Sequence, residues 1–189
     1  LRAETGRSAE VLVADLTQDA DLHGVEARLR DDRRIAMLVN NAGMAVAGFL
    51  ARGSGTIVNI ASVLALAPEL FNGAYSGTKA FVLALSASLH NELADKGVRV
   101  QVVLPGATAT DFWDVSGVPL AGVPTEIVMP ADVMVDAALA GLDLGETVTI
   151  PALPDTAAWD AFEGARAAMV PDLSRAVPAD RYRPVPAAA

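Results

Sequence analysis

Two runs of β-branched and apolar residues, 56–62 and 98–104, flank a longer segment with a different pattern. Each run has the length and composition of a buried β-strand. The segment between them, residues 75–94, repeats its apolar positions every three or four residues, as an amphipathic helix does. Its stripe, expected to face the core or a partner subunit, consists of Phe81, Leu85, Leu89 and Leu93. A strand, a helix and a strand in this order predict a crossover between parallel strands, with ligands beyond the strands' carboxyl ends.

Three polar side chains are predicted to meet at this edge of the sheet. Ser62 ends the first strand, while Tyr75 and Lys79 lie four residues apart at the start of the helix and so share one face. A free tyrosine, with a pKa of about 10, exchanges protons poorly at neutral pH, but a neighbouring ammonium group favours its phenolate form. We therefore expect Lys79 to lower the pKa of Tyr75, which would make the phenol a general acid and base. The Ser62 hydroxyl could bond the same substrate oxygen.

Further turns follow predicted strands elsewhere in the chain. Asp15 ends the run 10–15 and Leu16 follows it. A turn at residues 40–43 follows the apolar run 35–39, and residues 105–110 leave the second strand of the crossover. Asp15 also suits the N-cap of a following helix, and the other two turns could be plain connections. Both a ligand-binding and a structural interpretation stay open for each turn on this evidence.

Four motifs in order resemble the short-chain dehydrogenase/reductase family: Asn40-Asn41-Ala42-Gly43, Asn59-Ile60-Ala61-Ser62, Tyr75-x-x-x-Lys79 and Pro105-Gly106 followed by Thr110. Tyr-x-x-x-Lys alone occurs by chance in many chains, whereas the four together, at strand ends and a helix start, are specific. The resemblance implies a single-domain Rossmann-type fold, a doubly wound parallel sheet in three α/β/α layers. It also implies NAD(P)-dependent interconversion of a carbonyl compound and a secondary alcohol, with Ser62, Tyr75 and Lys79 as catalytic residues.

The same resemblance implies which residues bind the cofactor. Asp15 is expected at the adenine ring, Lys79 at the nicotinamide ribose, and Thr110 at the nicotinamide carboxamide or a phosphate. The full expected set is Asp15, Leu16, Asn40, Ala42, Gly43, Tyr75, Lys79, Pro105, Gly106, Thr108 and Thr110. No metal is required, because proton transfer neutralises the developing alkoxide. The preference leans towards NADP over NAD, since family members with a C-terminal tail of this kind often look NADP-dependent.

The chain departs from the family pattern in two places. The opening strand with its glycine-rich, pyrophosphate-binding turn is absent, and only the twelve residues 44–55 separate Gly43 from the next strand. Twelve residues leave room for almost no helix in a parallel crossover. We favour a sequence that omits parts of a longer polypeptide, because losing a central strand would leave ladder groups unpaired. The alternative is a truncated, catalytically silent binding or scaffolding protein, which an intact mass of 19.5 kDa would favour.

The remainder of the chain predicts a cover and an extension. Residues 111–129 are apolar but broken by Gly and Pro, which suits either a lid over a hydrophobic substrate or core packing. A helix is predicted over residues 130–142 and a short strand over 146–151. We place the Rossmann domain at residues 1–154 and a helical extension with a loose tail at 155–189. An epimerase or dehydratase of the extended branch shares Tyr-x-x-x-Lys, but its C-terminal domain is larger than the residues after Thr110 allow.

Composition narrows the class without changing it. A chain of 189 residues with 52% hydrophobic content can build one α/β domain, and the absence of cysteine excludes disulfides and thiolate metal sites. The net charge of −9 argues against nucleic acid and anionic membranes as partners. No apolar run reaches the roughly 20 residues of a membrane span. We therefore predict a location in the cytoplasm. The family resemblance implies a homodimer or homotetramer that acts on a small carbonyl compound or alcohol.

Overall fold

The computed structural model describes residues 12, 14, 18–32, 34, 35, 37–40, 47–113 and 120–182. The helices in this part of the chain are α1 (Asp19–Asp31), α2 (Ala47–Arg52), α3 (Gly73–Leu93), α4 (Ala131–Asp143) and α5 (Ala157–Met169). The strands are β1 (Met37–Asn40), β2 (Gly55–Ile60), β3 (Val98–Val103), β4 (Thr108–Ala109), β5 (Met129–Pro130) and β6 (Val148–Thr149). The chain divides into two compact units, Leu1–Ala152 and Leu153–Ala189. That residues 1–154 form the nucleotide-binding domain stays a prediction.

Four strands form one parallel sheet in the order β1-β2-β3-β6. In the register, Asn40 lies beside Asn59, and Ile60 lies beside Val103. The carboxyl ends of β1, β2 and β3 therefore meet at the same edge of the sheet, as the sequence predicted. β2 and β3 are joined through α3, which confirms the predicted crossover.

Both faces of the sheet are buried, each against a different set of helices. Side chains alternate along β2 and β3, so Ile57, Val98 and Val100 pack with Phe49 of α2 and Leu93 of α3. On the opposite face, a second buried cluster is formed by Val58, Val103, Ala138 and Leu142, the last two from α4. A sheet covered on both faces explains why its strands are continuous apolar runs. The three-layer α/β/α prediction is confirmed.

A buried amide interrupts each face of the sheet and ties it to a helix. On one face, Asn59 Nδ2 donates to Ser86 Oγ of α3 at 2.9 Å. On the other, Gln101 Nε2 donates to the Ala138 carbonyl of α4 and to Thr149 Oγ1, both at 2.8 Å. These bonds satisfy amides that would otherwise be costly to bury. They also fix the position of each helix along the strands.

Helix α3 was predicted over residues 75–94 and spans Gly73–Leu93. Gly97 ends this region at φ 72°, where a Cβ atom would collide with the Gly53 carbonyl, so glycine is required. The predicted stripe runs from solvent into the core: Phe81 is 65% exposed and Leu93 is 2% exposed. Positions four apart turn by about 40° relative to each other in a helix, so an i, i+4 series cannot stay on one face.

In the described part of the short connection between β1 and β2, the helix is α2, six residues long. Its Phe49 is buried against Ile57 of β2 and Val98 and Val100 of β3. Gly55 is necessary beside it, because a Cβ atom there would overlap the Phe49 ring. Residues 41–46 of the connection lie outside the described residues, so the expectation of almost no helix there stays a prediction.

One predicted strand does not form where the structure can test it. Leu12 and Ala14, the described residues of the run 10–15, are not in a strand. A strand needs a hydrogen-bonded neighbour, and within the described part of the chain β1 has one only on its β2 side. The other residues of that run, including Asp15, lie outside the described residues.

The later elements follow the prediction closely. Helix α4 begins one residue after Pro130, and β6 lies inside the predicted strand 146–151. In the region predicted as a lid, β4 and β5 pair in parallel, and 3₁₀ turns occupy Leu120–Gly122 and Thr125–Ile127. Among the described residues, no helix combines the length and the hydropathy needed to cross a membrane.

Candidate active site

Ser62 is fixed where β2 ends and the chain turns. Its side chain accepts a hydrogen bond from the Leu64 amide at 3.2 Å and so caps the 3₁₀ turn Val63–Ala65. Its hydroxyl donates to the Pro105 carbonyl at 3.4 Å, and the Val63 amide donates to the same carbonyl at 3.0 Å. Ser62 is thus buried between the exits of β2 and β3. The serine and the Pro105-Gly106 turn therefore meet at the same edge of the sheet.

Helix α3 carries the other two groups to this point. Asn72 caps the helix, because its side-chain oxygen accepts from the Ala74 amide at 2.9 Å and the Tyr75 amide at 3.4 Å. Tyr75 therefore lies in the first turn and Lys79 in the next. Lys79 Nζ donates to the Ile60 carbonyl at 3.1 Å, which ties the helix to the last residue of β2. An ammonium group has three donors, so in the described part of the chain further N–H groups remain for a bound molecule.

The electrostatics of Tyr75 differ from the expectation. Burial raises the pKa of the Tyr75 phenol above its ordinary value, and a hydrogen bond with Ser62 opposes this by favouring the phenolate. The Lys79 ammonium lies 5.6 Å from the centre of the Tyr75 ring, and burial lowers the pKa of the Lys79 amine. The predicted lowering of the Tyr75 pKa by Lys79 is therefore wrong for this structure. Desolvation of the phenol outweighs the effect of the hydrogen bond with Ser62 on the pKa of Tyr75.

The loop after β3 is held by backbone bonds on both sides. The Met129 amide donates to the Ala107 carbonyl at 2.9 Å, and Thr108 pairs with Met129 across β4 and β5. Gly106 has no neighbour within 4 Å of the place where a Cβ would stand, so the space beside it is open. Thr110 is exposed at the end of the loop. This loop lies directly beside Ser62 through Pro105.

An aromatic cluster, Phe71, Tyr75, Phe112 and Trp113, surrounds the phenol. The Tyr75 ring lies 5.9 Å from Phe71 and 6.0 Å from Phe112, measured between ring centroids, and Phe112 lies 5.8 Å from Trp113. The Trp113 indole N–H donates to the Thr108 carbonyl at 2.7 Å, which joins the cluster to the loop. Phe112 and Trp113 belong to the predicted lid. Phe71 and the cap Asn72 were missed, although an aromatic residue followed by Asn-Gly just before the helix was a usable signal.

The structure brings together some of the predicted site residues and leaves others undescribed. Ser62 contacts Tyr75 and Pro105, and Lys79 lies over the Tyr75 ring. Gly106, Thr108 and Thr110 follow on the adjoining loop. Asn40 ends β1 at the same edge of the sheet, beside Asn59. Asp15, Leu16, Ala42 and Gly43 lie outside the described residues, so their roles stay predictions. No group of three His, Cys, Asp or Glu side chains able to hold a metal occurs in the described part of the chain.

Fold and site together define a Rossmann-type α/β protein with a serine, a tyrosine and a lysine at the carboxyl edge of its sheet. A sequence profile described as short chain dehydrogenase matches residues 44–117. A solved structure of a short-chain dehydrogenase from Sphingobium yanoikuyae in complex with NADPH is 44% identical. It superimposes with a TM-score of 0.86, over 96% of this chain and 82% of that one. The chain therefore belongs to the short-chain dehydrogenase/reductase family.

Two further relatives are reported for comparison. The bulky-bulky ketone specific alcohol dehydrogenase from Comamonas testosteroni is 39% identical, with a TM-score of 0.81, over 97% of this chain and 81% of that one. Serine 3-dehydrogenase from Agrobacterium fabrum is 32% identical over 144 positions, which are 59% of this chain and 58% of that protein. An alignment of 144 positions without gaps would cover about three quarters of this 189-residue chain, but the match covers 59% of it. Part of that relative's sequence inside the match thus has no counterpart here.

Proposed function

We propose that the protein is an NAD(P)-dependent oxidoreductase that interconverts a carbonyl compound and a secondary alcohol. The observation that carries this proposal is the meeting of Ser62, Tyr75 and Lys79 at the carboxyl edge of a parallel sheet, with the phenol hydrogen-bonded to the serine. Ligands of open α/β sheets bind at this edge. A silent scaffolding protein would not need a half-buried phenol and amine in this position. The chain spans 58% of the length of the serine 3-dehydrogenase that it matches, so the activity of the whole protein is part of this proposal.

The residues present fit the nicotinamide half of a dinucleotide. The Lys79 ammonium retains donors for ribose hydroxyls, the space beside Gly106 is open, and the hydroxyls of Thr108 and Thr110 lie on the adjoining loop. Asn40 ends a strand at the same edge. Expected contacts with the adenosine half are Asp15, Leu16, Ala42 and Gly43. When bound, the nicotinamide supplies or accepts the hydride and its electron pair.

The chain's own residues handle the proton. In the reductive direction the substrate oxygen accepts hydrogen bonds from Ser62 and Tyr75, and Tyr75 gives its proton to that oxygen as the carbon is reduced. Solvent then reprotonates the phenolate. Because burial raises the pKa of Tyr75, the phenol is protonated at neutral pH and ready for reduction. Oxidation of an alcohol needs the phenolate and is therefore favoured at higher pH.

The cofactor preference, the assembly, the partners and the cellular location are also proposals. We favour NADP over NAD, and the Sphingobium yanoikuyae relative, solved with NADPH, supports this. The exposed start of the α3 stripe, at Phe81 and Leu85, suits packing against a second copy in a homodimer or homotetramer. The other partner is a small carbonyl compound or alcohol, without nucleic acid or membrane, and we place the protein in the cytoplasm. Light scattering of the purified protein would test the assembly.

The direct test is an assay of the purified protein with ketones and both reduced nucleotides. We expect consumption of NADPH that depends on the ketone and exceeds consumption of NADH. Binding of nucleotide by calorimetry, measured in parallel, separates two kinds of failure. Nucleotide binding without turnover of any carbonyl or alcohol would support the silent alternative, and loss of both would remove the proposed cofactor site.

A further inference from the structure

We propose that the active site takes an uncharged carbonyl compound carrying an aryl group beside the carbonyl, and rejects substrates that carry a carboxylate there. This inference rests on the function proposed above and names its substrate class. Three observations support it: open aromatic rings around the phenol, an anchor that holds these rings in place, and a one-sided distribution of charge.

The aromatic cluster presents apolar surface where the substrate must lie. Tyr75 has Phe71 edge-on at 5.9 Å, with an interplanar angle of 84°, and Phe112 tilted by 44° at 6.0 Å. Phe71 is 40% exposed and Phe112 is 45% exposed, so both rings keep open surface beside the phenol. A carbonyl oxygen bonded to Tyr75 and Ser62 brings its substituents against these rings. Aryl groups pack well there, because aromatic rings attract each other edge-on or offset.

The cluster is anchored to the loop that follows β3. The Trp113 indole N–H donates to the Thr108 carbonyl at 2.7 Å, and Phe112 packs edge-on against Trp113 at 5.8 Å. Phe112 is therefore held between a tied indole and the Tyr75 ring. Because the Phe112 side chain is already held in place, it loses little conformational entropy when a flat ligand packs on it.

The charges of the segments that contribute to the site, counted along the sequence, disfavour an anionic substrate. From residue 100 to residue 152 the sequence has seven Asp or Glu residues and no Lys, Arg or His. Glu69 lies in the 3₁₀ turn Pro68–Leu70 just before Phe71, Asp111 directly precedes Phe112, and both acidic side chains are exposed. Lys79 is the single Lys or Arg between Arg52 and Lys96, it donates to the Ile60 carbonyl, and its remaining donors are those proposed above for the nicotinamide ribose. A substrate carboxylate here would lose its hydration without gaining a dedicated partner.

The experiment compares three ketones of similar size in NADPH-linked and NADH-linked reduction: acetophenone, cyclohexyl methyl ketone and benzoylformate. We expect kcat/KM for acetophenone to exceed that for the cyclohexyl ketone by about tenfold, and that for the carboxylate by at least about a hundredfold. In the oxidative direction, 1-phenylethanol should be preferred to L-serine by a similar margin. Reduction of benzoylformate as fast as acetophenone, or faster oxidation of L-serine, would overturn the inference while leaving the oxidoreductase function standing.

Variants locate the preference. Phe71→Ala and Phe112→Ala should each lower kcat/KM for acetophenone by about tenfold and bring the aryl-to-cyclohexyl ratio within about threefold. Leu144→Ala, which removes an exposed apolar side chain at the amino edge of the sheet, is the matched control and should change neither. Circular dichroism verifies that each variant is folded. An aryl preference unchanged in both phenylalanine variants would contradict the inference. Absence of turnover with every substrate and both nucleotides would instead refute the oxidoreductase function beneath it.

Discussion

The two halves of helix α3 share the same helical pattern of apolar positions. They differ in whether their buried polar side chains have hydrogen-bond partners and in how burial affects their charge. In the C-terminal half, Ser86 accepts from Asn59 and donates to the Val82 carbonyl, and Leu93 is fully packed. In the N-terminal half, Tyr75 and Lys79 are half-buried, and burial shifts the pKa of each towards its uncharged form. Ser76, 1% exposed, has no hydrogen-bond partner for its hydroxyl in the described part of the chain.

The difference separates what the helix does for the fold from what it does for the site. Every polar group of the C-terminal half that is buried has a partner, which is how stable interiors are built. The N-terminal half keeps polar groups in apolar surroundings at a cost in stability, as active sites do. Mutations in the two halves should therefore have opposite consequences.

Lys79→Met should produce the largest of these effects. It keeps an apolar stem of similar size and removes the amine that ties α3 to Ile60, so kcat/KM for ketone reduction should fall about a hundredfold. The melting temperature should stay equal or rise, because a half-buried ammonium group is removed. Lys96→Met, at an exposed lysine that donates to the Glu92 carbonyl, is the control and should keep its activity. Activity of Lys79→Met within threefold of wild type would count against the role of the amine.

Breaking the Asn59–Ser86 bond should affect the opposite property. Asn59→Ala or Ser86→Ala leaves a buried polar group without its partner, which should lower the free energy of unfolding by about 1–3 kcal/mol. The double variant should lose less than the sum of the two single variants, because neither partner is then left alone. Urea denaturation measures all three. Strict additivity would show that the bond does not stabilise the packing of α3 on β2.

Ser62→Ala tests the hydrogen bond between Ser62 and the Tyr75 phenol, and it also removes the side-chain bonds to Leu64 and Pro105. The Ser62 hydroxyl favours the phenolate, so its removal should raise the pKa of Tyr75 further. Ultraviolet titration detects this ionisation, and Tyr75→Phe provides the baseline to subtract. In ketone reduction, kcat/KM should be constant at lower pH and fall as the pH rises through the pKa of Tyr75. A pKa lowered by Ser62→Ala would contradict the observed contact.

Ser76→Ala should have the smallest effect. Its hydroxyl has no partner to lose, so the free energy of unfolding should change by no more than about 0.5 kcal/mol or increase. Ser86→Ala is the matched comparison on the same helix. Equal losses in the two serine variants would remove the contrast between the two halves.

The sequence predicted the central crossover well because its signals are local. Apolar runs of strand length mark β2 and β3, and Gly97 marks the end of the region that follows α3. The order of the motifs placed Ser62, Tyr75 and Lys79 at the correct edge. The Asn59–Ser86 and Gln101–Thr149 bonds join residues that are 27 and 48 positions apart, so no local pattern reveals them.

The burial of individual side chains could not be predicted from the sequence. The spacing of Tyr75 and Lys79 suggested a lowered pKa for the phenol, but the extent of its desolvation depends on how Phe71 and Phe112 pack around it. The α3 stripe was predicted from the spacing of apolar residues alone. Because positions four apart are turned by about 40° from each other, the stripe passes from solvent at Phe81 to the core at Leu93. Leu12 and Ala14, which fall in the predicted strand at residues 10–15, are not in a strand. Strand formation depends on a hydrogen-bonded neighbouring strand, and the β-propensity of a run does not show whether one is present.

The most direct test of the central claim is the rate of NADPH consumption with acetophenone by wild type and Tyr75→Phe. The phenylalanine ring preserves the packing with Phe71 and Phe112 and removes only the proton donor. We expect kcat/KM to fall by at least about a hundredfold with an unchanged melting temperature and unchanged nucleotide binding. Turnover by Tyr75→Phe at the wild-type rate would show that another group protonates the substrate.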